Sequence, residues 1–147
     1  RNKDYNFIYI TRSDATYRQI SNELELVDLL SKYNFSIVKL SNKSIKAQAF
    51  LFSSAKLIIS PHGASLTNLI FCNPDATIIE LRNVNHFGEF THGELYWMLS
   101  SILSLKYVAF NCKVSGIPQR IPIDRKAEYS NIEVDLILLE KLLKSFI

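Results

Sequence analysis

The chain has 147 residues, of which 48% are hydrophobic and 21% charged, which is the size and composition of one globular domain with a full hydrophobic core. Its net charge is only +3 and its 17 basic residues are scattered, so nothing indicates nucleic-acid binding, and no apolar stretch is long enough to span a bilayer. Two cysteines are too few for a disulfide framework, and no histidine lies at helical spacing from a cysteine or another histidine, so we expect no metal site.

Short apolar runs alternate with amphipathic segments in the first half of the chain. Each run is too short for a helix and is flanked by turn-forming residues. Three strands are therefore predicted, over residues 6–11, 35–40 and 57–59. The first intervening helix is predicted to have Asn22 as its N-cap, with Glu25 in the capping-box position. The second is predicted over residues 44–55, with Phe50 and Leu51 on its apolar face.

The same alternation continues in the second half. Small residues after the third strand lead into a helix on which Leu66, Leu69 and Ile70 recur at helical spacing. A strand, a helix, a strand and a strongly apolar final helix follow, over residues 77–81, 95–105, 107–114 and 134–147. The intervening segments 82–94 and 116–128 are irregular, because they are polar or contain prolines.

Alternating strands and helices predict a three-layer, Rossmann-like α/β domain with a parallel sheet of about five strands. We expect a single domain over residues 1–147, with strand order 2-1-3-4-5 and a switch point between strands 1 and 3. Ligands bind at the carboxyl ends of strands at such a point. The two loops there are the arginine loop (residues 12–18) and the glycine turn (residues 61–65), which we expect to face each other across one crevice.

Both loops have features that suit an anion. Arg12 and Arg18 carry permanent, forked positive charge, and the small residues of the glycine turn leave backbone N–H groups uncovered at a helix start. The alternative is an ordinary strand–helix turn, in which Gly63 supplies a positive φ and Ser65 caps the helix. For the arginines the alternative is a solvent-facing position or a salt bridge to a nearby carboxylate.

Three segments, TRSDATYRQISNELEL, AFLFSSAKLIISPHGASLTNLIFCNP and IIEL, together resemble the C-terminal half of glycosyltransferase family 61, over residues 8–81. Its relatives include protein O-linked sugar transferases, plant xylan-decorating enzymes and bacterial capsular-polysaccharide proteins. The resemblance implies a GT-B architecture of two Rossmann-like domains, in which the C-terminal one holds the sugar nucleotide.

The resemblance also implies roles for individual residues. The two arginines would contact the diphosphate, Gly63 would let phosphate approach the backbone, and His62 would donate to phosphate or sugar. Thr67 and Asn68 would contact phosphate or base, or else only satisfy the local backbone. Glu80 would accept hydrogen bonds from the ribose, or else be an ordinary charge at a strand end. The full set of predicted substrate-binding residues is Arg12, Arg18, His62, Gly63, Ala64, Ser65, Thr67, Asn68 and Glu80.

The expected function is inverting transfer of a sugar from a nucleoside diphosphate, preferably uridine diphosphate, to a hydroxyl of a glycan or protein, in polysaccharide or glycan synthesis such as that of bacterial capsules. No cofactor is implied. We expect no obligatory divalent ion, since the cations and the helix N-terminus can stabilise the leaving diphosphate. The catalytic base is not assigned. The alternative function is a non-catalytic α/β module that binds a nucleotide or a partner.

Because the chain opens with Arg1 close to its first strand, we expect an N-terminal acceptor domain of the same polypeptide to be missing. This fragment alone is then expected to bind nucleotide without transferring sugar. Its final helix is apolar on several sides, so self-association is also expected. A bacterial cytoplasmic location is the preferred expectation, with the Golgi or the endoplasmic reticulum lumen if the protein is eukaryotic.

Overall fold

A computed structural model describes residues 5–83, 94–117 and 129–147. The described strands form one six-stranded sheet in the order β2-β1-β3-β4-β5-β6. Their bounds are Phe7–Ile10 (β1), Ser36–Val38 (β2), Leu57–Pro61 (β3), Thr77–Asn83 (β4), Lys106–Gly116 (β5) and Asn131–Glu133 (β6). The first five strands are parallel and follow the predicted order. The Rossmann-like α/β prediction is therefore confirmed.

Helices cover both faces of this sheet. The described helices are α1 (Glu23–Lys32), α2 (Ile45–Ser54), a 3₁₀ helix (Ala64–Phe71), α3 (Leu95–Ile102) and α4 (Leu136–Leu143). On one face, α1 and α4 bury Leu26, Leu30 and Leu139 in a cluster with Ile59 and Ile79. On the other, α2, the 3₁₀ helix and α3 pack over Ile58 and Ile78. Because both faces of the sheet are covered, consecutive residues of β3 and β4 are apolar, and polar residues follow near the carboxyl ends of both strands.

Two helices present different faces from those predicted. The segment after the glycine turn is a 3₁₀ helix, whose three residues per turn align Leu66 with Leu69 and rotate Ile70 away from the core. Ile70 is accordingly 59% exposed. In α2, the predicted N-terminus is confirmed, since Ser44 Oγ accepts from the backbone N–H of Ala47. However, Phe50 is exposed and Phe52 is buried in its place.

The sixth strand is antiparallel to β5 and was not predicted, because only one of its three residues is apolar. It also pairs with the chain beyond the arginine loop, through a parallel bridge between Ile20 and Ile132. The N–H of Ile132 donates to the carbonyl of Gln19 at 3.0 Å, and the N–H of Ser21 donates back to Ile132 at 2.9 Å. The segment that leaves the arginine loop is thereby fastened to the far edge of the sheet.

Asn22 also helps to attach this segment to the chain that follows β6, and its predicted role as the N-cap of α1 is wrong. It stands at the N-cap position of α1 without a side-chain capping hydrogen bond. Instead, its Nδ2 donates to the carbonyl of Val134 at 2.9 Å, and its Oδ1 accepts from the N–H of Val134 at 3.0 Å. An asparagine side chain offers both a donor and an acceptor, so it completes a strand-like pair with a residue 112 positions away.

The final helix buries Leu139 and Leu143 and leaves Ile137 and Leu138 exposed, as its apolar character on several sides predicts. None of the described helices has the length and hydropathy needed to cross a membrane. Of the two segments predicted to be irregular, 82–94 and 116–128, residues 84–93 and 118–128 lie outside the described residues.

Candidate functional site

The arginine loop begins where β1 ends, and a single carboxylate holds its start. Glu23, in the first turn of α1, accepts hydrogen bonds from Tyr9 Oη at 2.7 Å and Thr11 Oγ1 at 2.6 Å. Thr11 Oγ1 in turn accepts from the backbone N–H of Ser13 at 3.1 Å. Burial, followed by Glu23, raises the pKa of Tyr9, so its hydroxyl keeps its proton and donates. Glu23 therefore joins the start of α1 to β1 and to the residue that leads into the arginine loop.

Arg12 brings the arginine loop directly against the glycine turn. An ideal Cβ added to Gly63 would lie 2.5 Å from Arg12 Nη1, so the guanidinium occupies the space that a side chain would need. Arg12 Nη2 donates to the carbonyl of Tyr17 at 3.5 Å, and its guanidinium carbon lies 5.6 Å from the Tyr17 ring centroid. Arg12 Nε is buried without a hydrogen-bond partner within the described part of the chain. Burial first, and then the charge of Arg18, lower the pKa of Arg12.

Arg18 is held by two aromatic rings. Its guanidinium carbon lies 5.7 Å from the ring centroid of Tyr17 and 5.1 Å from that of Tyr129, and the two rings meet edge to face at 4.7 Å. Its backbone has a φ of 54°, a left-handed conformation that costs free energy for a residue with a side chain. Its backbone N–H donates to the carbonyl of Tyr129 at 3.3 Å. The position of Arg18 therefore depends on the chain just before β6.

The glycine turn continues β3 and enters the 3₁₀ helix abruptly. His62 N–H donates to the carbonyl of Leu81 at 3.0 Å, which extends the pairing of β3 with β4. Gly63 has φ 156° and ψ 177°, a region essentially restricted to glycine. The N–H of Leu66 donates back to Gly63 at 3.0 Å, so the N–H groups of residues 63–65 precede the first helical bond. Ala64, within that stretch, is exposed.

The other polar side chains near this turn bond locally. Ser65 does not cap the helix, because it lies inside it, and its Oγ is 3.3 Å from Ser60 Oγ. Thr67 Oγ1 donates to the carbonyl of Ala64 at 2.7 Å. Asn68 Nδ2 donates to Ser65 O at 3.0 Å and to Gln48 Oε1 at 2.9 Å. The local-backbone alternative is thus observed for Thr67 and Asn68, while contacts to a ligand stay a prediction.

An open groove of about 520 Å³ runs beside these residues. Its walls come from the start of α2, the 3₁₀ helix and the loop after β2, and include Ser41, Gln48, Ala64, Thr67 and Asn68. This volume lies within the range of small-molecule sites, roughly 300–1,000 Å³. A separate cavity of about 20 Å³, lined by Arg18, His62, Arg82 and Ser130, has room for a water molecule and none for a diphosphate.

Glu80 lies beneath the glycine turn and does not open onto the crevice. It is fully buried on β4, with Oε1 hydrogen-bonded to His62 Nδ1 and Oε2 accepting from Tyr107 Oη. Arg82 Nη1 donates to the Tyr107 oxygen at 3.5 Å. The ribose contact predicted for Glu80 does not fit this burial, because both carboxylate oxygens already have partners inside the protein.

Tyr107 and Arg82 were not among the predicted site residues. A signal for Arg82 was available in the sequence, since Glu80 and Arg82 stand two residues apart on one strand and so share one of its faces. For Tyr107 there was none, because its contact with Glu80 depends on the pairing of β4 with β5. Burial, followed by the charge of Glu80, raises the pKa of Tyr107 and keeps its hydroxyl protonated.

No cluster of three His, Cys, Asp or Glu side chains suited to a metal ion occurs within residues 5–83, 94–117 and 129–147. His86 and His92 lie outside those ranges.

Comparison with known proteins agrees with the resemblance of the motifs. The family model for Glycosyltransferase 61 matches residues 1–79, which include β1, β3, the arginine loop and the glycine turn. No curated protein matches the chain. The match covers more than half of the 147 residues. The chain therefore belongs to glycosyltransferase family 61, a family of enzymes that transfer a sugar from a donor to an acceptor.

Proposed function

We propose that this domain binds the diphosphate of a sugar nucleotide between the arginine loop and the glycine turn. The observation that carries the proposal is the placement of the Arg12 guanidinium directly over Gly63, at the predicted switch point of the sheet. A phosphate beside this contact would meet both the forked guanidinium donors of Arg12 and the backbone N–H groups of the glycine turn.

The electrostatics of the crevice favour an anion. Burial first, and then the charge of the nearby Arg18, lower the pKa of Arg12. Both guanidinium groups also lie against the Tyr17 ring, within 5.6 and 5.7 Å of its centroid. A diphosphate would relieve the repulsion between the two cations and supply the partner that Arg12 Nε lacks among the described residues.

For the nucleoside, we propose the groove beside the 3₁₀ helix. It begins at Ala64, next to the diphosphate position, and offers the amides of Gln48 and Asn68 together with apolar walls. Convergent polar groups in a mainly apolar groove are the usual composition of small-molecule sites. A uridine diphosphate sugar is the donor that we test first.

The proposed reaction is inverting transfer to a hydroxyl of a glycan or protein. The acceptor oxygen attacks the anomeric carbon as its proton passes to a general base, and the bond to the diphosphate breaks with its electron pair going to the leaving oxygen. Arg12, Arg18 and His62 would stabilise the charge that develops on the leaving group. We propose that this stabilisation requires no divalent ion.

The direct test is calorimetric titration of the chain with uridine, guanosine and cytidine diphosphates. Replacing Arg12 with alanine should weaken binding of the preferred nucleotide by about 1.5–3 kcal/mol, the range for hydrogen bonds to charged groups. Arg12→Lys, which keeps the charge and loses the fork, should fall between.

Lys56→Ala is the matched control, because it removes one exposed positive charge immediately before β3. Lys56 lies at the amino end of this strand, whereas the crevice lies at its carboxyl end. It should leave the affinity unchanged. An unchanged titration curve for Arg12→Ala, or an equal loss in the lysine variant, would place the nucleotide elsewhere. Loss of all transfer activity in chelator, with recovery on adding manganese, would refute the metal-independent step.

A further inference from the structure

Glu80 is a buried carboxylate at the centre of a polar relay, between the glycine turn and β5. Its side chain is fully buried, while that of His62 is 12% exposed, so the relay runs from the interior towards the crevice. Ionised carboxylates are almost never buried unless they are paired and hydrogen-bonded. Glu80 is paired with His62, which the proposed function places at the phosphate, so its burial also bears on how His62 meets the ligand.

The direction of the hydrogen bonds follows from the chemistry of the groups. Arg82 can only donate, so the Tyr107 oxygen accepts from Arg82 Nη1 and its own proton points to Glu80. Burial and Glu80 raise the pKa of Tyr107, which keeps that proton in place. Glu80 then accepts at Oε2, and as a carboxylate it accepts at Oε1 as well. The proton shared with His62 therefore belongs to Nδ1 of the imidazole.

The orientation of the His62 ring is fixed from two further sides. Its backbone N–H is bonded to the carbonyl of Leu81, and its ring lies 5.3 Å from the Tyr96 ring, centroid to centroid. With Nδ1 turned to Glu80, the atom on the other side of the ring, Nε2, is the one through which His62 would contact a ligand. Such a partner at one nitrogen sets the role of the other.

We propose that Glu80 is a positioning residue that acts through His62. It holds Nδ1–H towards the interior, so that Nε2, when it carries a proton, donates to the phosphate that carries the leaving oxygen. This inference rests on the proposed function, because it names the atom of His62 that meets the diphosphate. His62 would act as a hydrogen-bond donor, with no proton transferred. Tyr107 and Arg82 orient the carboxylate.

The first test is a double-mutant cycle on uridine diphosphate affinity at pH 7. Glu80→Gln preserves shape and removes the charge, and it should weaken binding about tenfold when His62 is present. In a His62→Ala background the same substitution should change the affinity less than about twofold, because Glu80 has no other route to the ligand. A general structural role would give the same loss in both backgrounds, and that result would overturn the inference.

Two further variants keep the test decisive. Glu133→Gln makes the same change on an exposed strand residue and should leave the affinity unchanged. If Glu80→Gln does not fold, Tyr107→Phe replaces it in the cycle, because it removes one donor from Glu80 and keeps the ring. Tyr107→Phe should weaken binding about threefold with His62 present and not without it. An equal effect in both backgrounds would again overturn the inference.

The second test does not depend on nucleotide binding. Long-range ¹H–¹⁵N spectra of the imidazoles, assigned by loss of the His62 signals in His62→Ala, report which ring nitrogen carries a proton. Protonated Nδ1 in the wild type, with its population reduced in Glu80→Gln, is the expected result. Identical spectra for the two proteins would refute the inference. Failure of the chain to bind any of the three nucleoside diphosphates would refute the proposed function, whatever these spectra show.

Discussion

The arginine loop and the glycine turn meet at one crevice, yet they hold their charged side chains in different ways. Arg12 and Arg18 lie against aromatic rings and a backbone carbonyl, and no carboxylate is hydrogen-bonded to Arg12 within the described residues. His62 is fixed by a carboxylate that is itself fully buried. Arg12 therefore meets no carboxylate at hydrogen-bonding distance among the described residues, whereas the His62 ring does.

The two regions also differ in what supports them. The arginine loop is tied laterally, through Gln19, Ser21 and Asn22, to the antiparallel strand at the far edge of the sheet. The glycine turn is supported from below, by residues of the adjacent parallel strands. Damage to the edge strand should therefore affect the arginines alone, whereas a change within the turn should affect both regions, because Arg12 packs on Gly63.

The largest expected effect comes from adding a side chain at Gly63, because it would clash with Arg12 and so change both regions. Gly63→Val should lower nucleoside diphosphate affinity more than about a hundredfold, since its side chain would displace Arg12 and its φ of 156° is unfavourable for a branched residue. The backbone strain should cost about 1–3 kcal/mol of unfolding free energy and leave the fold intact. Calorimetry and urea unfolding measure the two effects. Lys56→Ala again serves as the control, and normal binding by Gly63→Val would show that Gly63 only forms the turn.

The hydrogen bonds that attach the segment after the arginine loop to the edge of the sheet can be removed at Asn22 without changing the glycine turn. Asn22→Ser should lower the unfolding free energy by about 1–3 kcal/mol, because two hydrogen bonds to Val134 are lost. Serine is itself a good N-cap, so a capping role for Asn22 would predict no loss. Urea unfolding distinguishes these outcomes. The His62 imidazole spectrum should remain unchanged, and a change there would show that the two supports are not independent.

Arg18 offers the smallest and most selective change. Its left-handed backbone suits glycine, so Arg18→Gly should be about 1 kcal/mol more stable to unfolding than Arg18→Ala. Both variants lose the guanidinium and should bind the nucleotide about tenfold more weakly than the wild type. Equal stability of the two variants would show that the backbone relaxes when the side chain is removed.

The parallel sheet, its strand order and the meeting of the two loops could be predicted because they follow from local patterns combined with a topological rule. Apolar runs marked β3 and β4, and the glycine turn marked the switch point. Asn22 was misassigned because its local setting fits a cap, while its partner lies 112 residues away. The burial of Glu80 could not be predicted for a similar reason, since it depends on Tyr107 and His62, which only the folded sheet brings together around the carboxylate.

The central claim is that one diphosphate touches both regions. Titrating ¹⁵N-labelled protein with uridine diphosphate and following the backbone amide signals tests it most directly. We expect the largest shifts in residues 12–18 and 62–65 together, at the same nucleotide concentration and with one dissociation constant. Shifts confined to one of the two segments, or centred on the α1–α4 face, would contradict the account.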